Sequence, residues 1–276
     1  MKRCLAAAGT LAWLCLAAPH LACAQAKQLD EIATRIDKAL KPLKPRMVAF
    51  VDFRVPDAAA TSQQAGHFFA WTLSLLVQGK EKKQLHVAEH LAFDSDLGKI
   101  HISPDALVPG PSLSAAAPQL GPDVLVIGTI QKDGDAYLVR ATPLIVAENK
   151  LRSPIEERIP TNDFLESLLS PWPPKLDQPM VKAGKGTSTM PSCISCPDPS
   201  YSDIARKNRI QGTNVFEVVI GTDGVVKAIR PVKLLGYGLD QQAFYTIRNW
   251  KFKPAARADG TPVPVMTPIE VSFRLY

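Results

Sequence analysis

The first part of the chain alternates between helix-like and strand-like patterns of apolar residues. Apolar residues recur at helical spacing over residues 28–41, which predicts an amphipathic helix that ends before Pro42. A nearly continuous apolar run over residues 47–53 predicts a buried strand. Helical spacing returns over residues 62–77 and predicts a second helix, and residues 85–88 follow it as a short predicted strand.

A hairpin is predicted next. Two strand-like runs, residues 124–130 and 137–146, are joined at Asp133-Gly134, a pair typical of tight turns. The stretch 101–122 is rich in Pro, Ser and Ala and is interpreted as an irregular connection. Strand, helix, strand and hairpin in this order predict an α/β module over residues 25–150.

The composition changes after this module. Residues 151–192 are rich in proline and run into a Gly-Lys-Gly-Thr-Ser segment, which predicts a linker that is stiff at first and flexible later. The leucines around Leu165 favour one short helix inside this linker.

The C-terminal part, residues 193–276, has a mixed pattern. Tyr201–Asn208 and the apolar stripe after Asp240 predict two helices, and Asp240 lies near the positive end of the second. Three strands are also predicted, over residues 215–220, 225–234 and 266–275. Together they predict a three-stranded antiparallel sheet with two helices on one face, and hence an α+β protein overall.

Three motifs in this C-terminal part resemble the TonB family. They read YSDIARKNRIQGTNVFEVVIGTDGVV, GYGLDQQAFYTIRNWKFKPA and PIEVSFRL. Their order, spacing and residue types are similar to the TonB C-terminal domain, and the resemblance covers residues 197–276. It implies a non-enzymatic energy transducer of transmembrane transport, which pairs with a peptide of an outer-membrane receptor.

The last strand is the candidate binding edge under this resemblance. An extended peptide can add a strand to an exposed sheet edge through backbone hydrogen bonds. Apolar and polar residues alternate there, so one face packs on the helices while the rim stays free. A partner peptide, or a second copy of the domain, is therefore expected to pair with this strand. The predicted partner-binding residues are Ile269, Glu270, Val271, Ser272, Phe273 and Arg274.

A second, weaker resemblance concerns residues 45–150. The run VAFVDF and the hairpin sequence PDVLVIGTIQKDGDAYLVRAT are similar to the periplasmic domains of curli-secretion and flagellar-assembly lipoproteins. This implies an alternative function, in which the protein is an envelope assembly or scaffold factor that acts through its N-terminal module.

The N-terminus predicts export. Lys2 and Arg3 precede an apolar segment, and Ala22-Cys23-Ala24 has the small-residue pattern of a cleavage site. A signal peptide over residues 1–24 is favoured; a retained membrane anchor through residues 4–24 and a lipid on Cys23 are the alternatives. All three place the remaining chain outside the cytoplasm, in the periplasm.

Of the five cysteines, only Cys193 and Cys196 lie outside this N-terminal segment. An isolated pair in an oxidising compartment favours a disulfide. Free thiols, or a redox or metal role, are the alternatives.

Candidate chemistry elsewhere is sparse. The string His86-Val-Ala-Glu89-His90 matches the HxxEH of inverted zinc peptidases, a remote alternative function. A strand over residues 85–88 would instead hold the two imidazole rings roughly 13 Å apart, too far for one metal ion. We therefore expect no catalytic residue, no metal ligand and no cofactor. The net charge of +6 is scattered, so no nucleic-acid surface is expected.

Overall fold

The computed structural model describes residues 17–56, 64–80, 85–103, 106–184 and 189–275. Within these residues no helix is both long enough and apolar enough to cross a membrane. The basic start and most of the apolar core of the predicted signal peptide lie outside the described residues.

The N-terminal part contains a six-stranded mixed sheet. Its strands are β1 (Met47–Phe50), β2 (His86–Val87), β3 (Val124–Asp133), β4 (Ala136–Ile145), β5 (Lys150–Leu151) and β6 (Ile155–Pro160). In the order β2-β1-β3-β4-β5, β1 is parallel to its two neighbours and the later pairs are antiparallel, while β6 also pairs with β4. The helices of this part are α1 (Ala17–Leu40), α2 (Gln64–Lys80), α3 (His90–Lys99), α4 (Pro111–Ala116) and α5 (Asp163–Leu169), with 3-10 turns at Lys41–Leu43 and Ala117–Gln119.

Two helices form where the pattern predicts none. Five of the ten residues of α3 are polar or charged, but the helix buries Phe93 and Leu97. α4 lies inside the stretch interpreted as an irregular connection; Pro111 suits the first turn of a helix, and Leu113 is buried. Each helix is short and contributes few apolar residues, which is why periodicity did not reveal it.

The first part of the predicted linker 151–192 contains regular structure. In β6, Ile155 and Ile159 are buried, and the strand pairs antiparallel with β4 along its whole length. In α5, Phe164 and Leu168 are buried, and the Asn162 side chain accepts a hydrogen bond from the Leu165 N–H as an N-cap.

The C-terminal part contains a four-stranded sheet and a separate pair of strands. Its elements are β7 (Val181–Lys182), β8 (Ser192–Ser195), α6 (Asp203–Lys207), β9 (Gly212–Ile220), β10 (Val226–Lys233), α7 (Leu239–Ile247), β11 (Lys251–Lys253) and β12 (Val265–Phe273). The strand order in the sheet is β10-β9-β12-β7. The three predicted strands are present, and β7, from the predicted linker, adds a fourth that runs parallel to β12. The separate antiparallel pair joins β8 and β11. The protein is therefore a mixed α+β protein.

The two parts pack against each other through α5 and α7. The rings of Phe164 and Phe244 meet edge to face, with centroids 5.3 Å apart. Asp163 and Arg248 form an ion pair beside them. Buried residues of both parts belong to one continuous apolar cluster. Within the predicted linker, α5 thus packs against α7 and connects the two parts of the protein.

Candidate functional site

The six predicted partner-binding residues lie on β12 and just after it. Val271 and Phe273 are buried, and the Phe273 ring packs edge to face on Tyr201, with centroids 5.4 Å apart. Ile269 is half-buried on the same face. The other three residues, Glu270, Ser272 and Arg274, are exposed. The strand therefore has one face toward the helices and one toward solvent.

The direction of the backbone groups on β12 follows from its two neighbours. The carbonyl oxygens of Pro264 and Met266 accept hydrogen bonds from the N–H groups of Val181, on β7, and Ala183, just after it, at 3.1 Å and 3.0 Å. Both carbonyl groups therefore point away from β9. The register with β9 has no shift over residues 265–273. On the other side, the N–H of Leu275 donates to the Gln211 side chain, next to β9. Because backbone directions alternate along a strand, even-numbered residues turn their N–H and C=O outward.

This outward edge is open beyond Met266. Among the described residues, β7 is the one strand paired there, and its register involves Val265 and Met266 alone on β12. Pro268 occupies an outward position, where its missing N–H costs no bond to β9. The backbone N–H groups of Glu270, Ser272 and Arg274 therefore face away from β9, where they can donate hydrogen bonds to another strand.

The opposite edge of the sheet, on β10, is irregular. Its pairing with β9 shifts register between Val226 and Ala228 and again between Pro231 and Lys233. Bulges and proline on an edge strand hinder the addition of another strand. Of the two edges, β12 thus offers the longer regular row of backbone groups.

Asp240 fixes the start of α7 against this sheet. Its carboxyl group is fully buried and accepts hydrogen bonds from the N–H groups of Leu235 and Gly236, at 2.9 Å and 2.8 Å, and from the Asn214 side chain at 2.6 Å. Burial raises the pKa of Asp240 to about 7, although these hydrogen bonds favour the charged form. Asp240, which was expected near the start of a helix, thus also lies in the core and holds several buried polar groups there.

A second group of polar residues lies in the N-terminal part. Asp52 follows β1, His67 lies on α2, and His90 and Asp94 lie one turn apart on α3. An Asp52 carboxylate oxygen is 3.2 Å from Nδ1 of His67 and 2.7 Å from Nε2 of His90. Oδ2 of Asp94 is 3.6 Å from the same His90 nitrogen. One potential metal-ligand atom from each residue lies within 4.8 Å of all the others.

The four side chains, here called the histidine–aspartate cluster, influence one another's pKa values. Burial alone would raise the pKa of Asp52, but hydrogen bonds and charge from His67 and His90 lower it overall. Burial opposes the charged form of His90, yet the carboxylates of Asp52 and Asp94 raise the pKa of the imidazole. The pKa of Asp94 is raised, chiefly by burial.

Sequence reasoning considered only His90 from this cluster, together with His86 in the HxxEH string, and expected neither residue to bind a metal ion. His86 is exposed on β2, whereas His90 begins α3 after the Glu89 N-cap, so the HxxEH string does not lie on one helix. Asp52 and His67 each interrupt an apolar run. A polar residue in such a run was the available signal, but it did not indicate which residues would meet.

Cys193 lies on β8, which pairs with β11, and Cys196 follows directly after this strand. The predicted disulfide between them would therefore lie between β8 and α6.

The family described as Gram-negative bacterial TonB protein C-terminal matches residues 197–275. The protein TonB of Vibrio cholerae is 33% identical over 103 residues, an alignment that covers 34% of this chain and 41% of that protein.

Two solved structures are also similar to the chain. The LpoB C-terminal domain from Escherichia coli is 8% identical, with a TM-score of 0.36, over 48% of this chain and 98% of that one. A lipoprotein of Neisseria meningitidis is 12% identical, with a TM-score of 0.31, over 44% of this chain and 84% of that one. At these values the structural similarity gives no information on function. The two sequence matches confirm that residues 197–275 resemble the TonB C-terminal domain.

Proposed function

We propose that the protein is a non-enzymatic, periplasmic protein of the TonB type, which binds an extended segment of an outer-membrane or other envelope protein. The segment adds as a strand to β12, along residues 268–274. Participation in energy-coupled transport across the outer membrane is part of this proposal and rests on the TonB resemblance of residues 197–275.

One observation supports the binding edge above the others. Past Met266, the even-numbered residues of β12 turn their backbone groups away from β9, and no described strand pairs with them. Backbone hydrogen bonds supply the affinity of strand addition, whereas the alternate side chains supply specificity. The exposed Glu270 and Arg274, on either side of Ser272, give this edge one charge of each sign for such selection.

Ser272→Pro tests the proposal, because Ser272 has an outward N–H. Proline there removes one donor from the open edge and no bond to β9, so partner binding should weaken while the domain stays folded. Ser272→Ala is the matched control: it loses the hydroxyl contact with Thr213, 3.0 Å away, but keeps the N–H. Both variants are compared with the wild-type mature chain in pull-downs from envelope extract, with circular dichroism as the measure of folding.

Val271→Pro checks the assignment of backbone directions without a partner. The N–H of Val271 points toward β9, so this variant should lose a bond of the sheet and unfold at lower urea concentration. If Ser272→Pro is folded and still retains the partner as well as Ser272→Ala does, β12 is not the binding edge. The exposed basic end of α6, at Arg206 and Lys207, would then be the next surface to examine.

A further inference from the structure

We propose that Asp52, His67, His90 and Asp94 form a binding site for one Zn²⁺ ion. The four side chains offer two imidazole nitrogens and two carboxylate oxygens, which are ordinary ligands of this ion. The inference is independent of strand addition at β12, because it concerns the N-terminal part of the chain.

The distances fit a compact, four-ligand site. A tetrahedral zinc ion with bonds of about 2.0–2.1 Å holds its ligand atoms roughly 3.3 Å apart. The Asp52–His67 and His90–Asp94 distances, 3.2 Å and 3.6 Å, are close to this spacing. The Asp52–His90 distance of 2.7 Å is shorter, so these two side chains would separate by about half an ångström on binding.

The hydrogen bonds of His90 orient it as a metal ligand. Its Nδ1 lies 2.8 Å from the carbonyl oxygen of Phe50. Because a carbonyl oxygen can only accept, Nδ1 carries the hydrogen, and in the neutral ring Nε2 then carries the lone pair. That lone pair is directed at the carboxylates of Asp52 and Asp94, an arrangement that requires a cation or a proton between them. Metal-binding histidines commonly donate their second ring N–H to a backbone carbonyl in this way.

Asp94 gives a separate indication. Its Oδ1 is buried and has no hydrogen-bond partner among the described residues, while its Oδ2 faces His90. Buried carboxylate oxygens are normally satisfied by a donor or a metal ion. A zinc ion bound by both carboxylate oxygens of Asp94 would provide the partner that Oδ1 lacks.

The fold holds the ligands in place before any ion binds. His90 and Asp94 are four residues apart on α3 and therefore share one face of that helix. His67 is brought to Asp52 by a close approach of α2: a Cβ on the neighbouring Gly66 would lie 1.9 Å from the Phe53 carbonyl oxygen. Only glycine allows α2 to lie this close to the backbone of Phe53, and this approach brings His67 near Asp52.

The expected role is structural. The ligands come from the end of β1, from α2 and from α3, and one ion would tie these three segments together. Four protein ligands leave no open coordination position, as in structural zinc sites. The side chains of His67, Asp52 and Asp94 are 28%, 35% and 29% exposed, so an ion can reach the site from solvent.

The test is a titration of chelator-treated mature protein with ZnCl₂, followed by calorimetry and thermal unfolding. We expect one equivalent to bind and the melting temperature to rise, because an ion that binds only the folded state stabilises it. His67→Ala and Asp94→Asn should each weaken zinc affinity by about tenfold or more. His86→Ala is the matched control, since it removes an exposed histidine outside the cluster, and it should bind as the wild type does.

Wild-type protein that neither binds zinc stoichiometrically nor gains thermal stability would overturn the proposal and leave a proton between the carboxylates and His90. Equal losses of affinity in His86→Ala and His67→Ala would overturn it as well. If His67→Ala fails to fold, His67→Gln replaces it, because glutamine keeps most of the volume. Retention of wild-type zinc affinity by folded His67→Gln would also contradict the site.

Discussion

The hydroxyl of Tyr237, at the start of α7, donates a hydrogen bond of 2.9 Å to the carbonyl oxygen of Leu75 on α2. It is a direct polar contact between the C-terminal and N-terminal parts. Tyr237→Phe should cost about 0.5–1.5 kcal/mol of unfolding free energy and increase hydrogen exchange in α2.

Tyr201→Phe is the control for this contact. Its hydroxyl donates to the Ile210 carbonyl within the C-terminal part, so its loss should leave exchange in α2 unchanged. Equal exchange in α2 for Tyr237→Phe and wild type would show that the contact does not couple the two parts.

Gly66→Ala should destabilise the N-terminal part. The added methyl group would clash with the Phe53 carbonyl oxygen, so α2 must shift, at a cost of about 1–3 kcal/mol. Urea unfolding measures the loss. Gly98→Ala, on α3, is the matched control because a Cβ there meets nothing within 4 Å, and alanine should be neutral or slightly stabilising. Similar stability of the two variants would contradict the close packing at Gly66.

Asp240 should give the stability a characteristic pH dependence. Its pKa rises from 3.8 to about 7 on folding, so the folded state holds a proton that the unfolded state releases. The associated stability is fully present below pH 3.8 and is lost as the pH rises through about 7.

Asp240→Asn stays neutral, and its amide group cannot accept at both positions now bonded to Leu235 and Gly236. It should be less stable than wild type at about pH 4, by roughly 1–3 kcal/mol. The difference in unfolding free energy between this variant and the wild type should be smaller at about pH 8, as measured by urea unfolding. Asp223→Asn, at an exposed turn, should show no such change between about pH 5 and 8. A constant gap for Asp240→Asn would contradict the raised pKa.

Cys193 and Cys196 should resist alkylation until the protein is reduced, since an isolated pair in the periplasm favours a disulfide. Peptide mass spectrometry before and after reduction locates the labels. The closed loop is small, so replacing both residues with serine should cost less than the ~3 kcal/mol expected for a 15-residue loop. Labelling of both thiols in unreduced, native protein would contradict the disulfide.

The sequence predicted those elements whose pattern is local and long. The β3–β4 hairpin has ten residues on each side and a glycine turn, and β12 alternates between apolar and polar residues from Ile269 to Phe273. β7 has only two residues, Val181 and Lys182, in a proline-rich stretch. These two residues form a strand because they pair with β12, and the local sequence pattern does not indicate pairing with a distant strand.

The histidine–aspartate cluster was missed for a related reason. Asp52 and His67 are 15 residues apart, and His90 is 38 residues from Asp52. Their meeting depends on how α2 and α3 lie against β1, and the close approach at Gly66 becomes visible only in three dimensions. The string at His86–His90 drew attention to the nearest pair in sequence, whereas the fold brings together residues from three elements.

The packing of Phe164 against Phe244 has a mechanical consequence. A strand bound along β12 would be held by hydrogen bonds perpendicular to its axis, so tension along that axis would load all of them at once, in shear. From β12 the load would pass through β9 and β10 to α7, and from α7 through the aromatic contact to α5 and the N-terminal sheet. The N-terminal module would then bear tension together with the binding edge, as one continuous elastic body.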